Sequence, residues 1–210
     1  MTQQYILMGD IIRSRAYEAV KLRQEFLQLI DSCNETLRDG ILSPYTVTLG
    51  DEFQGVASSL GKVIDAIFHM EETSLSHVLP FKIRYVAVYG HIDTPINRIK
   101  AYTMMGPGLT KAREILTDKG KGRPRFCFVL DDAHLANQLN RLFSVIGGLI
   151  ERWHTQDASL VLDMLHNTSN KEVGVIYAKN RSQIWKRRRH LLIEEYRSLK
   201  ESIAEMVQNE

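Results

Sequence analysis

Residues 6–12 read Ile-Leu-Met-Gly-Asp-Ile-Ile, and residues 46–55 read Thr-Val-Thr-Leu-Gly-Asp-Glu-Phe-Gln-Gly. The first segment predicts a buried strand that ends near Asp10, and the second predicts a β-hairpin with Asp51 and Glu52 at its tip. Burying an unpaired carboxylate is costly, so acidic residues at the ends of two apolar strands indicate a shared cation. A divalent metal that holds phosphate groups is the cation that this pattern favours.

The segments around these two turns alternate between strand and helix periodicity. Apolar spacing predicts a helix over residues 17–37, a second helix capped by Ser58 or Ser59, and a strand over residues 80–89. A helix over 109–116, a strand over 125–130 and a helix from about 132 to 153 complete this part. The order is β-α-β-β-α-β and then α-β-α. The first six elements predict a ferredoxin-like, palm-type α+β domain, which we place at residues 1–154.

The overall composition excludes several classes of protein. The 210 residues include 27 basic and 25 acidic side chains, so a net charge of +2 does not by itself indicate a nucleic-acid partner. Two cysteines, Cys33 and Cys127, cannot form a disulfide framework. The N-terminus lacks signal-peptide features, and no apolar run approaches the roughly 20 residues that span a bilayer. We therefore expect a cytoplasmic protein without a membrane partner.

The sequence resembles a known family in four places. The chain is similar to the SatD family of small bacterial proteins at residues 9–11, 48–55, 84–90 and 106–114, and the resemblance extends over essentially the whole chain. The N-terminal part also resembles, more distantly, the catalytic domain of class III nucleotide cyclases and the GGDEF domain of diguanylate cyclases. Those palm domains carry one metal aspartate after the first strand and another in the hairpin turn, where Asp10 and Asp51 stand.

The resemblance to palm domains implies a site for a nucleotide and for Mg²⁺ or Mn²⁺. The candidate metal ligands are Asp10, Asp51 and Glu52. The candidate phosphate-binding groups are the backbone amides of Ile11 and Ile12, at an expected helix start, and the side chain of Arg113. Arg113 matches the arginine that class III cyclases direct at the triphosphate. A purely structural role is the alternative, because Gly-Asp pairs are common in tight turns.

Three positions depart from the cyclase pattern. Leu109 stands where class III cyclases carry a ribose-orienting asparagine, and Val47 stands where adenylyl cyclases carry a purine-reading lysine. Leu49 replaces the first glycine of GGDEF. These departures favour a binding or degenerate site over an efficient cyclase.

The C-terminal part resembles a helix-turn-helix, and we predict a small all-α domain over residues 155–210. Gly174 falls where two helices must approach closely, Ala178 falls at the turn, and Ile184 is expected to pack back toward Gly174. Residues 179–189 contain six basic side chains and no acidic one. The outward residues expected to contact DNA are Arg181, Ser182, Gln183, Lys186 and Arg187. A solvated basic face on a helical hairpin is the alternative.

These observations favour a DNA-binding transcriptional regulator whose palm domain senses a nucleotide or a metal ion. A homodimer is expected, because paired chains match a palindromic DNA site. Two alternatives stay open: a divergent metal-dependent nucleotidyl cyclase or transferase, and a catalytically inactive dimerisation scaffold.

Overall fold

A computed structural model describes residues 2–118, 120 and 122–208 of the chain. It contains one sheet with strand order β2-β3-β1-β4-β5. The first four strands are antiparallel, and β5 adds parallel to β4. The predicted α+β class and the β-α-β-β-α-β order are therefore confirmed. The strands are β1 (Thr2–Ile11), β2 (Ile41–Val47), β3 (Glu52–Ala57), β4 (Ile83–Ile92) and β5 (Phe126–Val129).

Helices cover both faces of this sheet. Side chains alternate along a strand, so the strands supply one apolar set to each face. Leu7, Phe53 and Tyr85 pack in one core with α1, α2 and α4, while Ile6 and Met8 pack on the opposite face with α3. The helices of this part are α1 (Ala19–Thr36), α2 (Leu60–Ser76), α3 (Pro107–Thr117) and α4 (Ala133–Ile150).

The first strand extends beyond its predicted end. Gly9 lies inside β1, opposite Phe53 of β3 and Tyr85 of β4. A Cβ atom at Gly9 would stand 2.4 Å from Cε1 of Phe53, so the glycine makes room for an aromatic ring rather than stopping the strand. As a result Asp10 is a sheet residue with a neighbour on each side.

Four helices follow the sheet domain and share its core. Trp153 donates from Nε1 to the carbonyl of Leu191 at 2.8 Å, and the Tyr196 hydroxyl donates to Glu72 of α2 at 3.1 Å. The predicted segments 1–154 and 155–210 thus share one hydrophobic cluster. No helix within the described ranges combines the length and apolar character needed to cross a bilayer. The four helices are α5 (Ala158–His166), α6 (Asn170–Ile176), α7 (Arg181–His190) and α8 (Ile193–Val207).

Candidate functional site

Three neighbouring strands bring charged residues together on the sheet face that α3 covers. Asp10 of β1 pairs in register with Glu52 of β3 and with Arg84 of β4. Alternation places these side chains on the same face as the buried Met8. Asp51 lies in the turn directly before Glu52. We call Asp10, Asp51, Glu52 and Arg84 together the acidic row.

Each strand carboxylate in the acidic row is paired with an arginine. Nη1 of Arg84 lies 3.2 Å from Oδ2 and 3.3 Å from Oδ1 of Asp10. Arg113 reaches down from α3 and donates to Oε2 of Glu52 and to Oε1 of Gln54, both at 3.2 Å. The negative charge of the strands is therefore balanced by side chains of the same chain.

Asp51 adds negative charge beside these pairs. Burial raises the pKa of the Asp10 carboxyl, Arg84 and Arg123 offset part of this increase, and Asp51 adds to it. Burial likewise raises the pKa of Glu52, Arg113 opposes the increase, and Asp51 and Asp10 reinforce it. Asp51 thus disfavours the charged forms of both Asp10 and Glu52.

The acidic row as arranged does not fit Mg²⁺ or Mn²⁺. The oxygens of Asp10 and Glu52 face arginines, which would have to move before a cation could bind. Across the residues that the structure describes, no three His, Cys, Asp or Glu side chains are placed to hold a metal ion. The expected metal role of Asp10, Asp51 and Glu52 therefore finds no preformed site.

The backbone amides of Ile11 and Ile12, which were expected to bind phosphate, are bonded within the fold. The amide of Ile11 donates to the carbonyl of Asp51 at 2.9 Å, and that of Ile12 donates to the carbonyl of Lys82 at 2.8 Å. Ile11 is the last residue of β1, and the chain then forms a short 3₁₀ turn at Ser14–Ala16 before α1 starts at Ala19. Both donors are used by the sheet and its turn.

A cleft of about 550 Å³ opens beside the acidic row, and Arg113 lies in its wall. The sequence did not single out Gln54 or Tyr102. Gln54 follows Glu52 by two residues in β3, so strand alternation could have placed it on the same face as Glu52. The Tyr102 hydroxyl donates to the carbonyl of Val47 at 2.5 Å. The lining includes Leu49, Gln54, Tyr102, Leu109 and Arg113.

A tight turn joins α6 to α7 in the C-terminal part. Ala178 adopts a left-handed conformation with φ of 50°, and the amide of Lys179 donates to the carbonyl of Gly174 at 2.8 Å. A Cβ atom on Gly174 would stand 2.5 Å from the Lys179 carbonyl oxygen and 3.6 Å from Cγ1 of Ile184. The predictions for Gly174 and for the packing of Ile184 are confirmed.

Two of the five residues expected to contact DNA have structural partners instead. Gln183 forms a capping box with Asn180, in which each side chain bonds the other residue's amide at 2.9 Å. Arg187 donates to Oδ1 of Asp157 at 2.5 Å. Arg181, Ser182 and Lys186 are exposed, as predicted.

The four consecutive basic residues of α7 separate into different environments. Arg188 is only 4% exposed, and it donates to the carbonyls of Met164 and Asn167 at 2.8 and 2.7 Å. It also bonds Asn170 at 2.9 Å and Glu194 at 3.1 Å. Arg188 therefore joins α5, α6, α7 and α8.

Two further residues of α7, which the sequence pattern did not indicate as DNA contacts, are also exposed. Trp185 is 52% exposed, and the guanidinium of Arg189 lies 6.0 Å from the centroid of its ring. Their spacing of four and eight residues from Arg181 would have placed them on its helix face. We call Arg181, Ser182, Trp185, Lys186 and Arg189 the outer face of α7.

The family model of the SatD family matches residues 5–186. This chain belongs to the SatD family. The match to SatD includes the acidic row, the cleft and the exposed first half of α7. A search among curated proteins finds no match. Among solved structures, a bacterial light-regulated adenylyl cyclase is similar over 60% of this chain and 74% of that chain, with a TM-score of 0.45 and 16% identity.

Proposed function

We propose that this SatD family protein binds duplex DNA by placing the outer face of α7 in the major groove. The observation that carries the proposal is that this face presents Arg181, Ser182 and Lys186 to solvent. The side chains of Arg181 and Lys186 have no ion pair or hydrogen bond with any residue that the structure describes. Basic side chains without internal partners remain available to phosphates and base edges.

The support beneath α7 favours the same function. The major groove is wide enough to admit an α-helix, and α7 is held in one orientation by a buried Ile184, by Arg188 and by the Arg187–Asp157 pair. The tight turn at Ala178 sets its angle to α6. A helix supported in this way would suit the role that we propose, that of the second helix of a helix-turn-helix.

The test is fluorescence anisotropy of the full-length chain with a labelled random-sequence duplex over a series of salt concentrations. We expect binding that weakens steeply with salt, because phosphate contacts release counterions. The double variant Arg181→Ala and Lys186→Ala should reduce the slope of log affinity against log salt by about 2. Absence of binding at low salt would refute the proposal.

A matched control distinguishes a local contact from a general charge effect. Lys21 and Arg23 are exposed on α1, so changing both to Ala removes the same charge from a distant surface. This control should keep the wild-type slope. Equal losses in both double variants would contradict a specific role for α7. Sedimentation with and without duplex would measure whether two chains bind together, as a palindromic site requires.

We propose, as the sensor part of this function, that the cleft beside the acidic row binds a nucleotide. Support comes from its volume of about 550 Å³ and from Arg113, whose guanidinium is held by Glu52 and Gln54 at the wall. Titration calorimetry with ATP and GTP should give a binding signal for wild type, and Arg113→Ala should abolish it. Lys111→Ala changes an exposed residue of the same helix and should preserve the signal. No heat with either nucleotide would leave DNA binding alone as the function.

The enzymatic alternative is less compatible with this geometry. A metal-dependent cyclase or transferase needs free carboxylates, whereas Asp10 and Glu52 are paired with Arg84 and Arg113. The wild-type chain would be incubated with ATP or GTP and Mn²⁺ or Mg²⁺. A product that forms with wild type and is absent with Asp51→Asn would support the enzymatic alternative. A purely dimerising scaffold would show neither DNA binding nor nucleotide binding.

A further inference from the structure

Trp185 occupies an unusual position for a large aromatic residue. Its side chain is 52% exposed, although tryptophan is highly buried on average. Arg181 and Arg189 lie one helical turn before and after it, and Lys186 is adjacent. An exposed indole thus stands among the basic residues proposed to face DNA.

We infer that Trp185 reads the 5-methyl group of thymine in the major groove, so that the bound DNA carries an A·T pair opposite the middle of α7. This inference rests on the proposed DNA binding and names the kind of base pair recognised. Thymine is the base that offers an apolar group in the major groove, and apolar side chains recognise it by contact.

The exposure of Trp185 leaves its indole available to the groove. Ile184 is fully buried, and Arg188 is anchored to carbonyl groups beneath α7. At about 100° per residue, Trp185 lies about 100° from Ile184 and about 60° from Arg188, beside the buried side of the helix. Its side chain is nevertheless 52% exposed, so the indole reaches solvent next to Arg189.

Arg189 holds the indole in place. Its guanidinium lies 6.0 Å from the ring centroid, at the limit of a cation–π contact. Such a contact limits the motion of an exposed ring, so less entropy is lost when the ring meets a base. Arg189 thereby acts as a positioning residue for Trp185 as well as a positive charge near the phosphates.

A protein partner is a poorer fit to the same surface. Tryptophan and arginine are also enriched in protein interfaces, but the outer face of α7 carries three basic residues and no acidic one, which favours a polyanionic partner. Polyanionic DNA matches an aromatic residue surrounded by cations, because the cations contact phosphates while the ring contacts a base. The charge pattern therefore favours DNA.

The experiment begins with a random duplex pool that is enriched by repeated selection on the full-length chain. The enriched pool is then synthesised twice, once with thymine and once with uracil, which lacks only the methyl group. Wild type should bind the thymine pool about fourfold more tightly for each methyl contacted. Trp185→Ala should bind the two pools equally, and Trp185→Phe should retain part of the preference.

Val175 provides the matched control. It is an apolar residue of α6 that is 78% exposed, so Val175→Ala removes exposed apolar surface outside α7. This variant should keep the wild-type preference for thymine. Circular dichroism would verify that each variant retains its helices.

The outcomes separate the inference from the function on which it rests. Equal wild-type binding of both pools, still weakened by salt, would overturn the role of Trp185 and leave DNA binding intact. Absence of binding to either pool at low salt would overturn both. A lower sedimenting mass for Trp185→Ala, with its thymine preference unchanged, would assign Trp185 to a protein interface and overturn the inference.

Discussion

The acidic row on the sheet and the outer face of α7 are both charged, but they differ in their partners. In the acidic row, Asp10 is paired with Arg84 and Glu52 with Arg113 at 3.2 Å. On the outer face of α7, Arg181 and Lys186 meet no partner among the residues that the structure describes. The sheet residues belong to the motif that resembles GGDEF, whereas the helix residues have charges without a protein partner.

This difference shows that the availability of a charge is more informative about binding than its presence. Paired charges in partly buried positions are already engaged, and each partner offsets part of the other's desolvation. Exposed basic residues without partners retain their interaction with water and counterions, which a polyanion can replace. The same contrast divides α7 itself, where Arg187 and Arg188 face protein and Arg181 faces solvent.

The largest expected effect comes from the inward side of α7. Arg188→Ala leaves the carbonyls of Met164 and Asn167 without their donor and opens a cavity. We expect a loss of about 3–5 kcal/mol in the free energy of unfolding, measured by urea denaturation. Arg189→Ala, on the exposed side, should stay within about 0.5 kcal/mol of wild type. Similar losses for both variants would remove the distinction between inward and outward arginines.

The second effect concerns the turn that orients the outer face. A methyl group on Gly174 would stand 2.5 Å from the Lys179 carbonyl oxygen, so Gly174→Ala should cost about 1–3 kcal/mol of unfolding free energy. Gly148→Ala is the matched control, because nothing lies within 4 Å of its added methyl group. That variant should stabilise the protein by about 0.5–1 kcal/mol, since alanine favours a helix over glycine. If both variants changed the free energy of unfolding in the same direction, the close approach of α6 and α7 would be contradicted.

The local chemistry of the turn was predictable from sequence, but the orientation of α7 was only partly so. Gly174, Asn180 and Ile184 act on residues a few positions away, so their roles follow from spacing. The partner of Arg187 lies 30 residues earlier, at Asp157, and only the fold brings them together. The capping role of Gln183 could also have been predicted, because Asn-x-x-Gln is a capping-box spacing visible in the sequence.

In the sheet, the sequence identified the acidic residues but not what neutralises them. Asp10 and Arg84 are 74 positions apart, and their pairing depends on the register of β1 against β4. The sequence also does not show that Phe53 packs across Gly9 and that β1 therefore continues to Ile11. Long-range register was therefore the missing information, because it alone shows that Asp10 and Glu52 have arginine partners.

A smaller effect is expected from the ion pair between α3 and β3. Arg113 is partly exposed and pairs with Glu52 at 3.2 Å, so water screens much of its contribution. Arg113→Ala should lower the free energy of unfolding by about 0.5–1 kcal/mol and leave the salt dependence of DNA binding unchanged. A changed salt slope in this variant would mean that the acidic row and the outer face of α7 are coupled.

The smallest effect is the pH dependence of the acidic row. Burial raises the pKa of Asp10, with partial compensation from Arg84, so the folded state keeps a proton that the unfolded state has already lost. This contribution is fully present below the unfolded pKa of about 4 and is lost as pH rises through the folded pKa. In urea denaturation at a series of pH values, Asp10→Asn should reduce the decrease of unfolding free energy with rising pH. The pKa of Glu18 is lowered by bonds from the amides of Lys21 and Val20, so Glu18→Gln should change the profile in the opposite sense. If both variants shifted the curve in the same direction, burial would not be the dominant influence on Asp10.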